Sequence, residues 1–265
     1  MVWINGEARD SLAANDRGVQ FGDGCFTTAR IRDGGVAWLA AHLARLQEGC
    51  RRLAIANVAW QKLEQEMQMA ASTRQEGVLK VILTRGSGGR GYSSAGCQQP
   101  TRIISLADYP AHYHQWRETG IRLATSPVRL AINPLLAGIK HLNRLEQVLI
   151  RTQLEQTGAQ EALVLDTNGK LVECCAANLF WRKEKSLFTP RIDGAGVNGI
   201  MRQHILRLAP QYGFRCEEVS ADPTALAEAE EVLVCNALMP VLPVCQIDEQ
   251  RFTDRQFFHL ISSHC

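Results

Sequence analysis

The chain has 265 residues, 46% of them hydrophobic, which is enough for a packed core in one large or two medium domains. Its 29 basic and 27 acidic residues are spread along the length and leave a net charge of +2, which argues against nucleic acid or a membrane surface as partner. We therefore expect a small-molecule partner.

Neither the first residues nor any internal run predicts export or membrane insertion. Residues 1–6 lack a basic start followed by a continuous apolar core, and no run approaches the roughly 18 apolar residues of a membrane helix. The nine cysteines include no Cys-x-x-Cys pair, and the adjacent Cys174 and Cys175 do not have zinc-ligand spacing. We expect a cytoplasmic protein with reduced core thiols and no metal site.

Turn residues and hydrophobic periodicity predict a mixture of strands and helices. In chain order they indicate a hairpin turn at 5–6, a strand and turn over 27–35, a helix over 39–53, strands at 78–83, 102–106 and 121–126, a helix over 142–152, a hairpin of 162–166 and 171–175, a helix over 200–208, and strands at 232–235 and 241–244. Because strands and helices do not alternate strictly, we predict an α+β fold with largely antiparallel sheets.

Residues 109–118 interrupt this pattern. They contain a proline and a drift of polar and aromatic residues without a clear period, as in many interdomain segments. We predict a linker there, between a smaller N-terminal domain at 1–108 and a larger C-terminal domain at 119–265.

Lys140 is the first candidate catalytic residue. It follows the apolar stretch 136–139 and precedes a helical pattern. Partial desolvation there favours the neutral, nucleophilic amine that Schiff-base formation requires. The alternative is a surface lysine near a helix start, and base rates favour that alternative.

Glu173 is the second candidate, because it is a carboxylate within a strand-like run of small and apolar residues. A buried carboxylate needs a partner, since an unpaired ion in a low dielectric is costly. The ring nitrogen of pyridoxal 5′-phosphate (PLP) is one such partner. A nearby arginine is the ordinary alternative.

The segments around Lys140 and Glu173, together with 20–30 and 198–202, resemble the fold-type IV family of PLP-dependent enzymes. The similarity runs almost end to end. Within the family it is greatest to the lyases that convert 4-amino-4-deoxychorismate to 4-aminobenzoate and pyruvate in folate synthesis; aminotransferases acting on D- or branched-chain amino acids are the alternative. The resemblance implies PLP in a cleft between two domains, Lys140 on the larger C-terminal domain, and a homodimer.

The resemblance also implies the cofactor contacts. By pattern alone, 198–201 is an ordinary Asn-capped helix start, although the absence of an acidic residue from its first turn leaves it able to bind an anion. By the same reasoning Arg45 is a solvated side chain and 236–238 a plain loop. By resemblance, besides Lys140 and Glu173, the cofactor contacts are Arg45, Asn178, Gly199, Ile200, Met201, Asn236, Ala237 and Leu238.

Three further residues are assigned to the substrate. Thr28 stands in the alternating strand 25–29, where threonine is by default a strand former. The resemblance implies a catalytic role, since the lyases have threonine where branched-chain aminotransferases have glycine, and a hydroxyl there could relay a proton to the leaving group. Arg90 and Tyr92 lie on a Gly-rich loop after a strand, a common place for binding groups. Similarity to D-amino-acid aminotransferases suggests that Arg90 binds a carboxylate.

Overall fold

The computed structural model describes residues 1–265, which form two compact units. Unit 1 consists of Met1–Pro110 and Ile139–Asn143, and unit 2 consists of Ala111–Gly138 and Arg144–Cys265. Each unit contains one sheet with helices, which confirms the predicted α+β class. No helix combines the length and apolar character needed to cross a bilayer.

Unit 1 is built on a six-stranded, wholly antiparallel sheet of order β2-β1-β6-β5-β3-β4. Its elements are β1 (Val2–Ile4), β2 (Glu7–Ala8), α1 (Arg17–Phe21), β3 (Gly24–Arg32), β4 (Gly35–Val36), α2 (Leu39–Arg52), α3 (Trp60–Ser72), β5 (Glu76–Thr84) and β6 (Thr101–Ala107). The central pair of strands, β3 and β5, is in register over all nine residues of each.

The two long helices of unit 1 cover this sheet with apolar side chains. Leu46 of α2 and Leu63 and Met67 of α3 are fully buried, in one cluster with Leu79 and Val81 of β5. The sequence predicted α2 within one residue of its end at Arg52. It did not predict α3, because two of the four buried residues of that helix are small alanines, which give a weak periodic pattern.

Residues 139–143 belong to unit 1, although they are distant from it in sequence. They lie along β3, with a β-bridge between Cys25 and His141. This division places Lys140 in unit 1, whereas we expected the C-terminal domain to carry it; the predicted domain bounds stay a prediction. This pairing also explains why the predicted helix at 142–152 begins only at Leu145: the preceding backbone is extended along β3.

Unit 2 contains a nine-stranded sheet of order β12-β11-β10-β13-β14-β7-β8-β9, with β15 also paired to β14. Three of its strand pairs are parallel, namely β11–β12, β14–β7 and β7–β8. Its elements are α4 (His112–Thr119), β7 (Ile121–Thr125), α5 (Leu145–Leu154), β8 (Glu161–Leu165), β9 (Leu171–Cys174), β10 (Asn178–Lys183), β11 (Ser186–Pro190), α6 (Ile200–Leu208), β12 (Arg215–Val219), β13 (Glu231–Cys235), β14 (Leu242–Ile247), β15 (Gln250–Arg251) and α7 (Gln256–Ile261), with short 3₁₀ turns at Ala209–Tyr212, Pro223–Leu226 and Ser262–His264.

The predicted linker at 109–118 is largely helical. Helix α4 covers most of it, and Tyr113 and Trp116 pack against the apolar core of unit 2. The division between the units falls after Pro110, inside the predicted segment. Aromatic side chains without a complete helical period concealed this helix in the sequence, and contact with the core of unit 2 accounts for its formation.

Candidate active site

Lys140 lies in an extended segment that pairs with β3. The Phe26 N–H donates to the Lys140 carbonyl oxygen at 2.9 Å, and the Leu142 N–H donates to the Gly24 carbonyl oxygen at 3.0 Å. The Lys140 side chain is half-buried, and its Nζ lies 4.7 Å from the centroid of the Phe26 ring. The amine therefore sits against an aromatic face, a partly desolvated setting that suits a nucleophilic lysine.

Successive residues of β3 point to opposite faces of the sheet. Cys25 and Thr27 are buried beneath α2, whereas Phe26 and Thr28 are half-buried on the other face. Thr28 therefore shares a face with the ring that lies beside the Lys140 amine. The predicted strand position of Thr28 is confirmed, while its role in proton transfer stays a prediction.

Arg45 approaches β3 from the α2 side and has no acidic partner. Its Nε donates to Thr27 Oγ1 at 3.1 Å, and its Nη2 donates to the same oxygen. Burial lowers the pKa of the guanidinium to about 10, with a smaller opposing effect from Cys25, so Arg45 stays charged at neutral pH. Because a desolvated cation without a counter-charge is costly, this position suits an anionic ligand.

Two residues beside Arg45, Thr27 and His42, were not predicted as part of the site. His42 is fully buried, and its Nδ1 lies 2.6 Å from Thr27 Oγ1 and 3.4 Å from Arg45 Nη2. Burial first, and then the charge of Arg45, lowers the pKa of His42 to about 3. The one available sequence signal was spacing, since a residue three positions before Arg45 lies on the same side of a helix.

The Gly-rich loop after β5 holds the two predicted substrate residues at the surface. Arg90 is exposed, and the side chain of Tyr92 is 88% exposed. The loop backbone is fixed by Arg17, a buried residue whose guanidinium donates to the carbonyl oxygens of Gly91, Tyr92 and Ser93 at 3.0, 3.2 and 3.1 Å. Arg17 was not predicted, because its acceptors are main-chain atoms far along the chain.

In unit 2, Glu173 is a buried carboxylate of β9, as its sequence context predicted. Its Oε2 accepts a hydrogen bond from the Val197 N–H at 2.8 Å. Arg144 is nearby: burial lowers the pKa of Arg144, while Glu173 and then Glu146 act in the opposite direction. The carboxylate of Glu173 therefore has both a main-chain donor, the Val197 N–H, and a nearby arginine, Arg144, which is the ordinary alternative named above.

The N-terminus of helix α6 has the features of an anion-binding site. Its N-cap is Gly199, without a side-chain hydrogen bond to the first turn, and that turn contains no acidic residue. The alternative of an ordinary Asn-capped helix is thus wrong, since Asn198 precedes the cap. The first-turn N–H groups, which include those of Ile200 and Met201, lack acceptors within the helix and remain available to a ligand.

Asn178 supports this helix start from β10. It is buried, and its Nδ2 donates to the Val197 carbonyl oxygen at 2.9 Å. A Cβ atom at Gly199 would lie 2.0 Å from Asn178 Oδ1, so only glycine permits this approach. Asn178 therefore shapes the loop before α6.

The turn at 236–238 is closed by its own asparagine. Asn236 Oδ1 accepts hydrogen bonds from the N–H groups of Leu238 and Met239, both at 2.8 Å. Its Nδ2 donates to the Ala176 carbonyl oxygen at 3.0 Å. Three residues were predicted to contact the cofactor here. Asn236 orders the turn and already accepts the Leu238 N–H, whereas the Ala237 N–H takes no part in these hydrogen bonds.

Residues 24–247 match the amino-transferase class IV family. The chain belongs to this family. Aminodeoxychorismate lyase of Vibrio harveyi is 37% identical over 93% of this chain and 91% of its own length. The structure of 4-amino-4-deoxychorismate lyase from Pseudomonas aeruginosa superimposes with a TM-score of 0.94 at 37% identity, over 99% of this chain and 98% of that one. D-alanine aminotransferase of Bacillus licheniformis is 27% identical, over 89% and 82% of the two chains.

Class IV membership confirms the predicted family and fold. In unit 1 the structure places the Lys140 amine against the Phe26 ring, with Thr28 on the same face of β3. In unit 2 it brings Glu173, Asn178 and 196–199 together. The roles assigned to these residues stay predictions.

Proposed function

We propose that this protein is a PLP-dependent lyase that converts 4-amino-4-deoxychorismate to 4-aminobenzoate and pyruvate in folate synthesis. The observation that carries the proposal is the face of β3 that Thr28 shares with Phe26, whose ring faces the Lys140 amine. The two relatives at 37% identity, which cover more than nine-tenths of the chain, are lyases named for this substrate.

The residues present suit PLP. Arg45 is a cation without a counter-charge, and α6 offers N–H groups that no side chain caps, in a first turn without an acidic residue, so both suit a phosphate. Glu173 is a buried carboxylate that suits a protonated ring nitrogen. When bound, PLP supplies an electron sink for the pair left on carbon after proton removal.

Lys140 and Thr28 divide the proton transfers of the reaction. The Lys140 amine would hold the cofactor and, when free, would remove the proton from the substrate carbon that bears nitrogen. The Thr28 hydroxyl then relays a proton to the oxygen of the departing enolpyruvyl group. Since loss of that group completes an aromatic ring, the protein chiefly has to lower the barrier to the first proton transfer.

Substrate recognition is assigned to the loop ordered by Arg17. Arg90 and Tyr92 project from a backbone whose carbonyls are held by three hydrogen bonds, so the loop offers defined positions to a carboxylate.

We further propose a homodimer in the cytoplasm, where free thiols such as the nine cysteines of this chain persist. The dimer comes from the family resemblance. Sedimentation velocity of the PLP-loaded protein checks it, and an active species at the monomer mass would contradict it.

The reaction is tested with enzymatically prepared 4-amino-4-deoxychorismate. Purified protein with PLP should release fluorescent 4-aminobenzoate without any added keto acid. The competing function is an aminotransferase of D- or branched-chain amino acids, and it would instead require a keto acid and leave the substrate ether intact. Keto-acid-dependent turnover of D-alanine without 4-aminobenzoate release would overturn the proposal.

A further inference from the structure

The hydrogen bonds around Arg45 allow its protons to be assigned. Thr27 Oγ1 accepts from both Nε and Nη2 of Arg45. Since those protons belong to the guanidinium, the Thr27 hydroxyl proton points to its remaining neighbour, His42 Nδ1, at 2.6 Å. His42 Nδ1 is therefore an acceptor, and its ring proton resides on Nε2.

This arrangement holds the cation with neutral groups only. His42 stays uncharged at neutral pH, because burial and the adjacent Arg45 lower its pKa to about 3. Arg45 Nη1 makes no hydrogen bond within the protein. A carboxylate in place of Thr27 or His42 would also hold the guanidinium, but it would cancel its charge and repel a phosphate. Neutral acceptors orient Arg45 and leave its full charge to a ligand.

The same cluster is poorly designed for stability alone. The His42 Nε2 atom is buried and has no hydrogen-bond partner. An unpartnered buried N–H lowers stability, and an apolar side chain in the same place would avoid that cost. Local arrangements that oppose stability are expected chiefly at functional sites.

We infer that Thr27 and His42 are positioning residues that orient Arg45 toward the phosphate of PLP. The inference rests on the proposed function, because it takes the phosphate as the ligand of Arg45. It assigns a role to two residues that contact Arg45 and each other.

The test compares PLP with pyridoxal, which lacks the phosphate. Apo-protein is titrated with each ligand. The dissociation constant of pyridoxal divided by that of PLP, called the ratio below, isolates the contribution of the phosphate. Thr27→Val should weaken PLP binding about tenfold, as for the loss of a hydrogen bond to a charged group, and leave pyridoxal binding unchanged. Thr27→Ser, which keeps the hydroxyl, should restore the ratio. Thr28→Val, the same chemical change on the opposite face of β3, should leave the ratio at the wild-type value.

The histidine is tested by a matched pair. His42→Leu should lower the ratio as Thr27→Val does, whereas His42→Asn, whose amide oxygen can take the place of Nδ1, should retain most of it. If Thr27→Val does not fold, the His42 pair decides by the same ratio. In an Arg45→Ala background, Thr27→Val should have no further effect on the ratio, because the residue it positions is gone.

Three outcomes overturn the inference. Equal weakening of PLP and pyridoxal would assign Thr27 and His42 to general stability. An effect of Thr27→Val that persists in the Arg45→Ala background would show that it does not act through Arg45. A wild-type protein that binds PLP no more tightly than pyridoxal would reject the phosphate assignment itself, before any variant is made, and so separates failure of the proposed cofactor site from failure of this network.

Discussion

Replacement of Glu173 by glutamine separates the catalytic role of this carboxylate from its structural one. The side chain keeps its shape, and the amide oxygen can still accept the Val197 N–H bond that Oε2 accepts at 2.8 Å. That bond fixes the orientation of the amide, since its NH₂ group cannot accept a hydrogen bond from the Val197 N–H. The NH₂ group of the glutamine then takes the place of the other carboxylate oxygen, so a hydrogen-bond donor replaces an acceptor there.

The expected effects differ in size. A hydrogen bond to a charged group contributes about 1.5–3 kcal/mol and one between neutral groups about 0.5–1.5 kcal/mol, so the free energy of unfolding should fall by only about 1 kcal/mol. The ring nitrogen of the cofactor loses its charged partner entirely. Turnover should therefore fall about tenfold to hundredfold, which corresponds to ~1.5–3 kcal/mol of barrier.

Glu161→Gln is the matched control. Glu161 is equally buried in the neighbouring strand β8, and it accepts main-chain hydrogen bonds from the N–H groups of Ala162 and Ala176. It has no role in the proposed reaction, so its variant should retain turnover. The assays are 4-aminobenzoate fluorescence for turnover and denaturant unfolding for stability. Full turnover in Glu173→Gln, or equal loss in both variants, would refute the assignment of Glu173 to the cofactor.

Four further predictions follow from the same structure. Thr28→Val should retain the cofactor absorbance while 4-aminobenzoate release falls by about 10²–10⁴, the usual contribution of a positioned proton donor, and turnover within about threefold of wild type would make Thr28 a strand residue only. Lys140→Ala should lose both turnover and the absorbance of the lysine-bound cofactor, and a yellow, active variant would reject Lys140. Gly199→Ala should lower the free energy of unfolding by about 1–3 kcal/mol and weaken PLP binding, because the added Cβ would lie 2.0 Å from Asn178 Oδ1. An unchanged melting temperature and an unchanged PLP affinity would show that the loop adapts. Burial raises the pKa of Glu161 from 4.5 to about 7 in the folded state. The unfolded state therefore loses this proton first, and the free energy of unfolding should fall by up to about 3 kcal/mol as pH rises from 4.5 to 7. Unfolding measured as a function of pH checks this dependence, which Glu161→Gln should remove.

Several features of this protein could be predicted because they depend on neighbouring residues. The turn between β3 and β4 was visible in Asp33 and Gly34, which adopt positive φ angles of 53° and 74°. The start of α6 was visible in Gly199 and in the absence of an acidic first turn. Burial of Glu173 was visible in its apolar context. Turn chemistry, helix ends and burial within a strand are local properties, so a single sequence segment is sufficient to indicate them.

The surroundings of Lys140 and Arg45 were decided by tertiary structure. Lys140 joins unit 1 because its backbone pairs with β3, and a β-bridge between such distant segments leaves no periodic trace in either of them. Arg45 looks like one basic side chain among many until α2 packs on β3 and brings Thr27 and His42 against it. Which partners surround a charge, and whether any of them is acidic, depends on contacts between elements, and those contacts exist only once the chain has folded.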